Sequence, residues 1–260
     1  MPFNVLATAQ ARAFAHGQVK LVYSSATQLI LTYGNGDLIK INGVWRRLPS
    51  GGVAISNAGL SASTVYYVYA YWTGSAVAVE FSTTARATST AAGNEGVMSK
   101  SGDDSRSLVG MVYTNASGQF ADQQNARHTR SWFNESGLLA AANSGTTVST
   151  SSTSPIELDA GARCFVLMWT NEICSQTIQA NSSHNTGGQA TYTSCSINGS
   201  VVGNPFAYHE TTVNYYNIVG NEWLTASAGD GLATFSMFGW VSAGTASWFN
   251  KMNIISTQRR

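Results

Sequence analysis

The chain has 260 residues, a formal net charge of +1, and only 10% charged side chains against 43% hydrophobic ones. That length builds one large β domain or two smaller ones with a sizeable core, while the charge content falls well under the ~25% usual for soluble domains. The balance excludes the basic footprint of a nucleic-acid binder: Arg46-Arg47, Arg127-His128-Thr129-Arg130 and Arg259-Arg260 are each too short to track a phosphate backbone.

Along the chain, residues 3–16 are expected to form a short helix with Phe3, Leu6 and Phe14 on its apolar side. The start lacks a basic segment followed by an apolar run, so no signal peptide is expected. No apolar run is long enough to span a bilayer, so membrane insertion is not expected either. From Gln18 the pattern alternates with period two, and Val19–Tyr23, Gln28–Tyr33 and Leu38–Ile41 read as strands. Asn35-Gly36 and Asn42-Gly43 supply residues that accept positive φ in tight turns.

Residues 60–81 carry the densest pattern, LSASTVYYVYAYWTGSAVAVEF: a strand, a turn at Thr73-Gly74-Ser75, and a second strand. One face shows Val65, Tyr67, Tyr69 and Tyr71; the other shows Tyr66, Val68, Ala70 and Trp72. Neither face is polar, so each must be covered by a second sheet or another subunit. Tyr67, Tyr69 and Tyr71 are therefore the expected oligomer interface. The low charge points the same way, because a weakly charged surface is poorly protected against self-association. Leu108–Tyr113 reads as a further strand, preceded by a Gly102-Asp103-Asp104-Ser105 loop.

A second section begins after residue 135, giving an expected division into 1–135 and 136–260. GLLAAANSGTTVSTSSTSP reads as a linker or exposed loop ending at Pro155. Strands are expected at Ala162–Thr170, Ile173–Ala180, Ala190–Ile197, Val213–Val219 and Ala233–Val241, with turns at Asn198-Gly199, Gly220-Asn221 and Gly229-Asp230-Gly231. Many short strands with such turns describe an all-β protein of sandwich or jelly-roll type. Ser131-Trp132-Phe133-Asn134 recurs as Ser247-Trp248-Phe249-Asn250. Trp132, Phe133, Trp248 and Phe249 are read as aromatic anchors, one pair closing each section.

The motifs of catalysis and metal binding are missing. Asp103-Asp104, and Glu157 with Asp159, are sequence neighbours, whereas glycoside hydrolysis needs acids placed across a cleft; turn-forming acids are the expected role. His16, His128, His184 and His209 are scattered, with no H-x-x-x-H, no H-E-x-x-H and no G-x-S-x-G elbow. No enzyme, metal or cofactor is expected. Cys164, Cys174 and Cys195 match no zinc spacing. They read as small buried residues, with Cys164 and Cys174 flanking one turn and open to facing each other across a hairpin. Tyr208, His209, Tyr215 and Tyr216 mix flat rings with polar groups and are the expected glycan-binding residues.

Four pieces in order, DLIKINGVWRRLPSGG, ISNAGLSASTVYYVYAY, SKSGDDSRSLVGMV and RSWFN, lie within residues 17–135. This half of the chain resembles a module of tailed-bacteriophage virion proteins of the tail-fibre or head-fibre type. The resemblance implies a non-enzymatic structural protein, trimeric, made in the host bacterial cytoplasm and mounted on the virion against other virion proteins. It carries over no ligand-contacting residue. The leading expectation is a tail-fibre or receptor-binding protein touching a host surface glycan. The alternative is a head decoration, collar or neck fibre protein, with a polysaccharide depolymerase a distant third.

Overall fold

The computed structural model describes residues 16–135, 137–209, 217–227 and 229–258. These are almost wholly β; the one helical piece among them is a three-residue 3-10 turn, Ala160–Ala162. Apart from His16, the expected helix over 3–16 lies outside the described residues. The chain forms two compact units. One runs to Asp122 and resumes at His128–Glu135; the other comprises Gln123–Arg127 and the chain from residue 136 onward.

The first unit opens with β1 (Val19–Ser25), β2 (Gln28–Tyr33), β3 (Leu38–Ile41), β4 (Val44–Arg47) and β5 (Val53–Ser56). It continues through β6 (Val65–Trp72), β7 (Val77–Ser82), β8 (Arg86–Thr88), β9 (Met98–Lys100) and β10 (Asp103–Tyr113). Three short strands follow in the chain: β11 (Asp122–Gln123) and β12 (Ala126–Arg127) pair into a sheet of the second unit, and β13 (Thr129–Ser131) returns to the first. A sheet β1-β2-β5 and a sheet β7-β6-β10-β9-β8, with β13 also on β10, account for most of this unit, and β3-β4 is a separate hairpin. The β3-β4 turn is Asn42-Gly43, both at positive φ (48° and 76°), the geometry that matches strand twist. Val19, Leu21, Leu29 and Leu31 from the small sheet and Val68, Ala70, Val77 and Val112 from the larger one belong to one buried cluster. Tyr66 and Trp72 pack against it, so this face of β6 is covered by the second sheet. Gly110 permits a close approach of the two sheets: a Cβ there would lie 2.4 Å from Leu21 Cδ2 and 2.5 Å from the Arg130 carbonyl. Asp103 and Asp104 begin β10 itself and are not a loop ahead of it.

The second unit contains β14 (Leu139–Ser144), β15 (Val148–Thr150), β16 (Ile156–Glu157), β17 (Cys164–Met168) and β18 (Ile173–His184). It is completed by β19 (Ala190–Ile197), β20 (Ser200–His209), β21 (Asn217–Ala226), β22 (Gly231–Val241) and β23 (Ala246–Gln258). The antiparallel pairs are nested: β19 with β20, β18 with β21, β17 with β22, and β14 with β23. This is one long hairpin rolled up, and the roll adds β18–β23 and β19–β22 pairing. The result is two sheets, β14-β23-β18-β21 and β17-β22-β19-β20, which is a jelly roll. β12 joins the second sheet in parallel alongside β17, which is why Gln123–Arg127 belongs to this unit. Cys164, Val166, Phe235 and Met237 from one sheet face Cys174, Ile178, Trp248 and Ile255 from the other.

Two expectations change here. The stretch 137–155 is not simply a linker: β14 and β15 both pair β23. Its Ala and Thr residues read as loop, yet Ala140 and Ala142 fill the core beneath a strand that needs only small side chains. Cys164 and Cys174 do not face each other across a hairpin, because β17 and β18 lie in different sheets; all three cysteines are buried and none is in a disulfide.

The interior of this unit is partly polar. Gln176 and Asn253 are fully buried. Gln176 Nε2 donates to the Ser236 carbonyl (2.8 Å), and Asn253 Nδ2 donates to the carbonyls of Phe235 (3.1 Å) and Ala162 (3.2 Å). Lys251 is buried as well, with Nζ 3.2 Å from the Asp159 carboxylate and donating to the Thr146 carbonyl. A bulge turns Lys251 inward. Met252 pairs Gln179 and Phe249 pairs Asn181, so Asn250 and Lys251 together oppose Ala180, and Asn250 takes a φ of 50°.

Candidate functional site

The carboxylates come first because they would carry any hydrolytic chemistry. The Ser89 hydroxyl, with Asn94 and Ser99, holds the Asp104 carboxyl below its ordinary range against the effect of burial. The Ser105 hydroxyl does the same for Asp103, at 2.6 Å. Burial pushes Asp159 up, but hydrogen bonds from Ser144, the Gly161 N–H and Lys251 outweigh it and hold the group low. Glu157 is clamped by Arg163, whose Nε donates at 2.6 Å. A general acid needs a raised pKa; Asp103, Asp104 and Asp159 move the other way. Among the described residues no group of three His, Cys, Asp or Glu side chains converges as a metal ion requires.

Of the expected interface tyrosines, Tyr69 is fully buried in its own chain, and its hydroxyl donates to the Thr84 carbonyl (2.8 Å). It offers no surface to a partner, because the segment ahead of β8 folds over it. Tyr67 and Tyr71 are half-buried. The Arg106 guanidinium lies 4.4 Å above the Tyr71 ring and pairs Glu80 (3.0 Å), which also binds Lys100 (3.2 Å). This half of the aromatic strand is thus roofed by a small ion network.

The four anchors separate. Trp248 is fully buried, and its Nε1 donates to Thr193 Oγ1 (2.9 Å). Trp132 is half-buried with the Arg86 guanidinium 4.9 Å over its ring. Phe133 packs against the first core, and Phe249 is half-buried on an outward face.

Of the expected glycan residues, Tyr208 ends up half-buried against the second unit's core. His209 ends β20 opposite Ala190, while Tyr215 and Tyr216 lie outside the described residues.

It does reveal exposed apolar groups that alternation alone did not single out. Val44 and Trp45 are 48% and 36% exposed on the β3-β4 hairpin. Next to them the Arg46 guanidinium sits 4.1 Å over Trp72. The signal was available in the run VWRR after an Asn-Gly turn. On the second unit, Phe206, Trp223 and Leu224 are exposed on β20 and β21, and Tyr192 stacks on Trp240 (5.2 Å). Among the described residues no helix is long and apolar enough to cross a membrane.

No family model and no curated protein matches this chain. Solved structures with a similar arrangement include the Eiger TNF from S. frugiperda, at 8% identity and a TM-score of 0.34, covering 48% of this chain and 94% of that one. A structure of infectious bursal disease virus, Gx strain, matches at 12% and 0.32 over 78% of this chain and 57% of that one. The enzymatically active domain of bacteriophage CBA120 tailspike protein 4 matches at 12% and 0.21 over 44% of this chain and 19% of that one. At these values the likeness says nothing of function.

Proposed function

We propose that the protein is a structural component of a tailed-phage virion, a tail-fibre or receptor-binding protein whose first unit docks on the particle and whose jelly-roll unit is displayed. The observation that carries this reading is the β3-β4 hairpin. The first of the four resembling sequence pieces, residues 37–52, folds into a hairpin that leaves Val44 and Trp45 exposed, consecutive residues of β4 on its two faces. An exposed tryptophan on a hairpin is the kind of aromatic group that anchors a protein interface, and this one lies within the resembling module. The sparsely charged surface supports a homo-oligomer, and the resemblance implies a trimer, although the aromatic strand is covered by its own chain and no longer argues for one. Polysaccharide cleavage forms no part of this reading, since the nearby carboxylates are held by structural partners.

The test is location and mass. Antibody raised against the second unit should label tail fibres of purified particles, and free protein should sediment as a trimer at micromolar concentration. Label on the head or collar would move the protein to a bracing role. Absence from particles, or a monomer throughout, would remove the reading. Release of reducing sugar from host polysaccharide would overturn the non-catalytic part of this reading.

A further inference from the structure

We infer that the outer face formed by β15, β23 and β18 carries a binding site for an uncharged saccharide, built on Phe249, Ser247, Ser183 and Thr147. The bulge at Asn250 sets which side chains point outward. Ahead of it Ala246 and Trp248 are buried, and Ser247 and Phe249 face away from the core. The Trp-Phe pair therefore splits, with Trp248 inside and Phe249 outside.

The strand register then builds an array. Ser149, Ser247 and Ser183 are direct cross-strand neighbours in one row. Opposed side chains of this kind have Cβ atoms about 4.5–5.5 Å apart, and the Ser149 and Ser247 hydroxyls are 2.7 Å apart. Two residues along the same face, Phe249 stands opposite Asn181. Thr147, Ser183, Ser247 and Phe249 together line a cavity of about 530 Å³, within the range that holds small-molecule ligands.

The chemistry selects the ligand. A pyranose has a C–H face that lies against a flat ring and hydroxyls that both donate and accept. Serine and threonine hydroxyls also do both, so each meets a sugar hydroxyl in either sense. Among the described residues no charged side chain lines the cavity, and the nearby Lys251 is turned to the core and paired with Asp159. An anionic sugar would lose hydration without gaining a counter-charge. The site thus takes neutral hexose or N-acetylhexosamine units, and it uses none of the four residues the sequence nominated.

This gives the host-contact part of the proposed function a location, yet it stands without it. Binding by free protein and position on a particle are read separately, so either fails alone. Full-length protein is applied to an array of neutral gluco-, galacto-, manno- and N-acetylglucosamine oligosaccharides beside sialylated and uronic-acid ones. Retention of neutral probes is expected. Calorimetry with the best of them should show roughly tenfold weaker binding for Phe249→Ala, and likewise for Ser183→Val. Phe249→Tyr, which keeps the flat ring, should retain binding, and Trp223→Ser should leave it unchanged. The site is overturned by retention of acidic probes alone, by no retention, or by folded Phe249→Ala and Ser183→Val proteins that bind as wild type does.

Discussion

Trp132 and Trp248 share a four-residue setting and differ in surroundings. Trp248 is enclosed, with its indole N–H satisfied by Thr193 and its ring against Gly239, where a Cβ would lie 2.9 Å from Cζ2. Trp248→Ala should cost roughly 3–5 kcal/mol through lost burial and a residual cavity, read as a shift in denaturant midpoint. Trp132→Ala should cost clearly less in the same assay, because the ring is only half-buried. What the two pieces share is the closing asparagine: Asn134 and Asn250 both take positive φ (57° and 50°), a conformation asparagine tolerates better than most residues. The repeat thus announced a backbone feature, and the burial of each ring depended on strands far away in sequence. The cysteines give a second check at this scale. Burial pushes the thiols of Cys164, Cys174 and Cys195 up to about 12, 11 and 12. A disulfide reagent at pH 8 should modify none of them in native protein and all three after denaturation; fast native labelling would contradict the packing.

At the scale of elements, alternation made β1, β2, β3 and β22 readable, because each buries apolar side chains at every second residue, while β18 and β19 were found although they bury Gln176, Ser182 and His184, and Thr191, Thr193, Ser194 and Ser196. β14 and β15 escaped since Ala, Ser and Thr fill them, and their pairing is supplied by β23 from about 100 residues further on. β23 itself escaped because it turns Lys251, Asn253 and Thr257 inward. Of the strand expected at Val213–Val219, residues 213–216 lie outside the described residues and 217–219 open β21, which runs on through the expected Gly220-Asn221 turn to Ala226. The buried ion pair follows from that inward turn. Asp159 caps the 3-10 turn by accepting the Gly161 N–H (2.7 Å) and holds Lys251 from the other side. Asp159→Asn leaves a buried ammonium without its counter-charge and should cost about 3–5 kcal/mol. Lys251→Met with Asp159→Asn should recover much of that loss. Equal destabilisation in the single and double variants would show that the two groups are not coupled.

For the molecule as a whole, acid sensitivity divides into two pH windows. Burial lowers His128 from 6.5 to about 4. The unfolded chain therefore binds a proton between those values that the folded chain refuses, and stability rises with pH across this window. The contribution is roughly 3 kcal/mol at most. Denaturation midpoints should fall from pH 7 to pH 4.5, and His128→Phe should flatten that slope. Asp103, Asp104 and Asp159 are held low, so their stabilisation is present above the ordinary carboxylate pKa and is lost only below it. The fold class was readable at this scale, because jelly rolls and sandwiches share the same punctuation of turns and alternating strands. The candidate sites were not. Tyr69 and Tyr208 looked available in sequence and are covered by their own chain to different degrees, whereas Phe249, read as an anchor, faces outward because one extra residue in β23 reverses its side.

The nested pairing also sets a timetable for synthesis. β23 lies between β14 and β18, so its sheet has a vacant middle until residues 246–258 have left the ribosome. The first unit has all its strands by Ser131. At about 5–20 residues per second, that unit is complete for several seconds while the second waits with unpaired edges. Within the jelly roll the β19–β20 hairpin, closed by Asn198-Gly199, needs only local contacts, and β14–β23 closes the longest loop and forms last. Nascent chains arrested with residue 245 just outside the ribosome should resist protease up to about residue 135 and be cut beyond it, and release of the next strand should bring protection to the rest in one step.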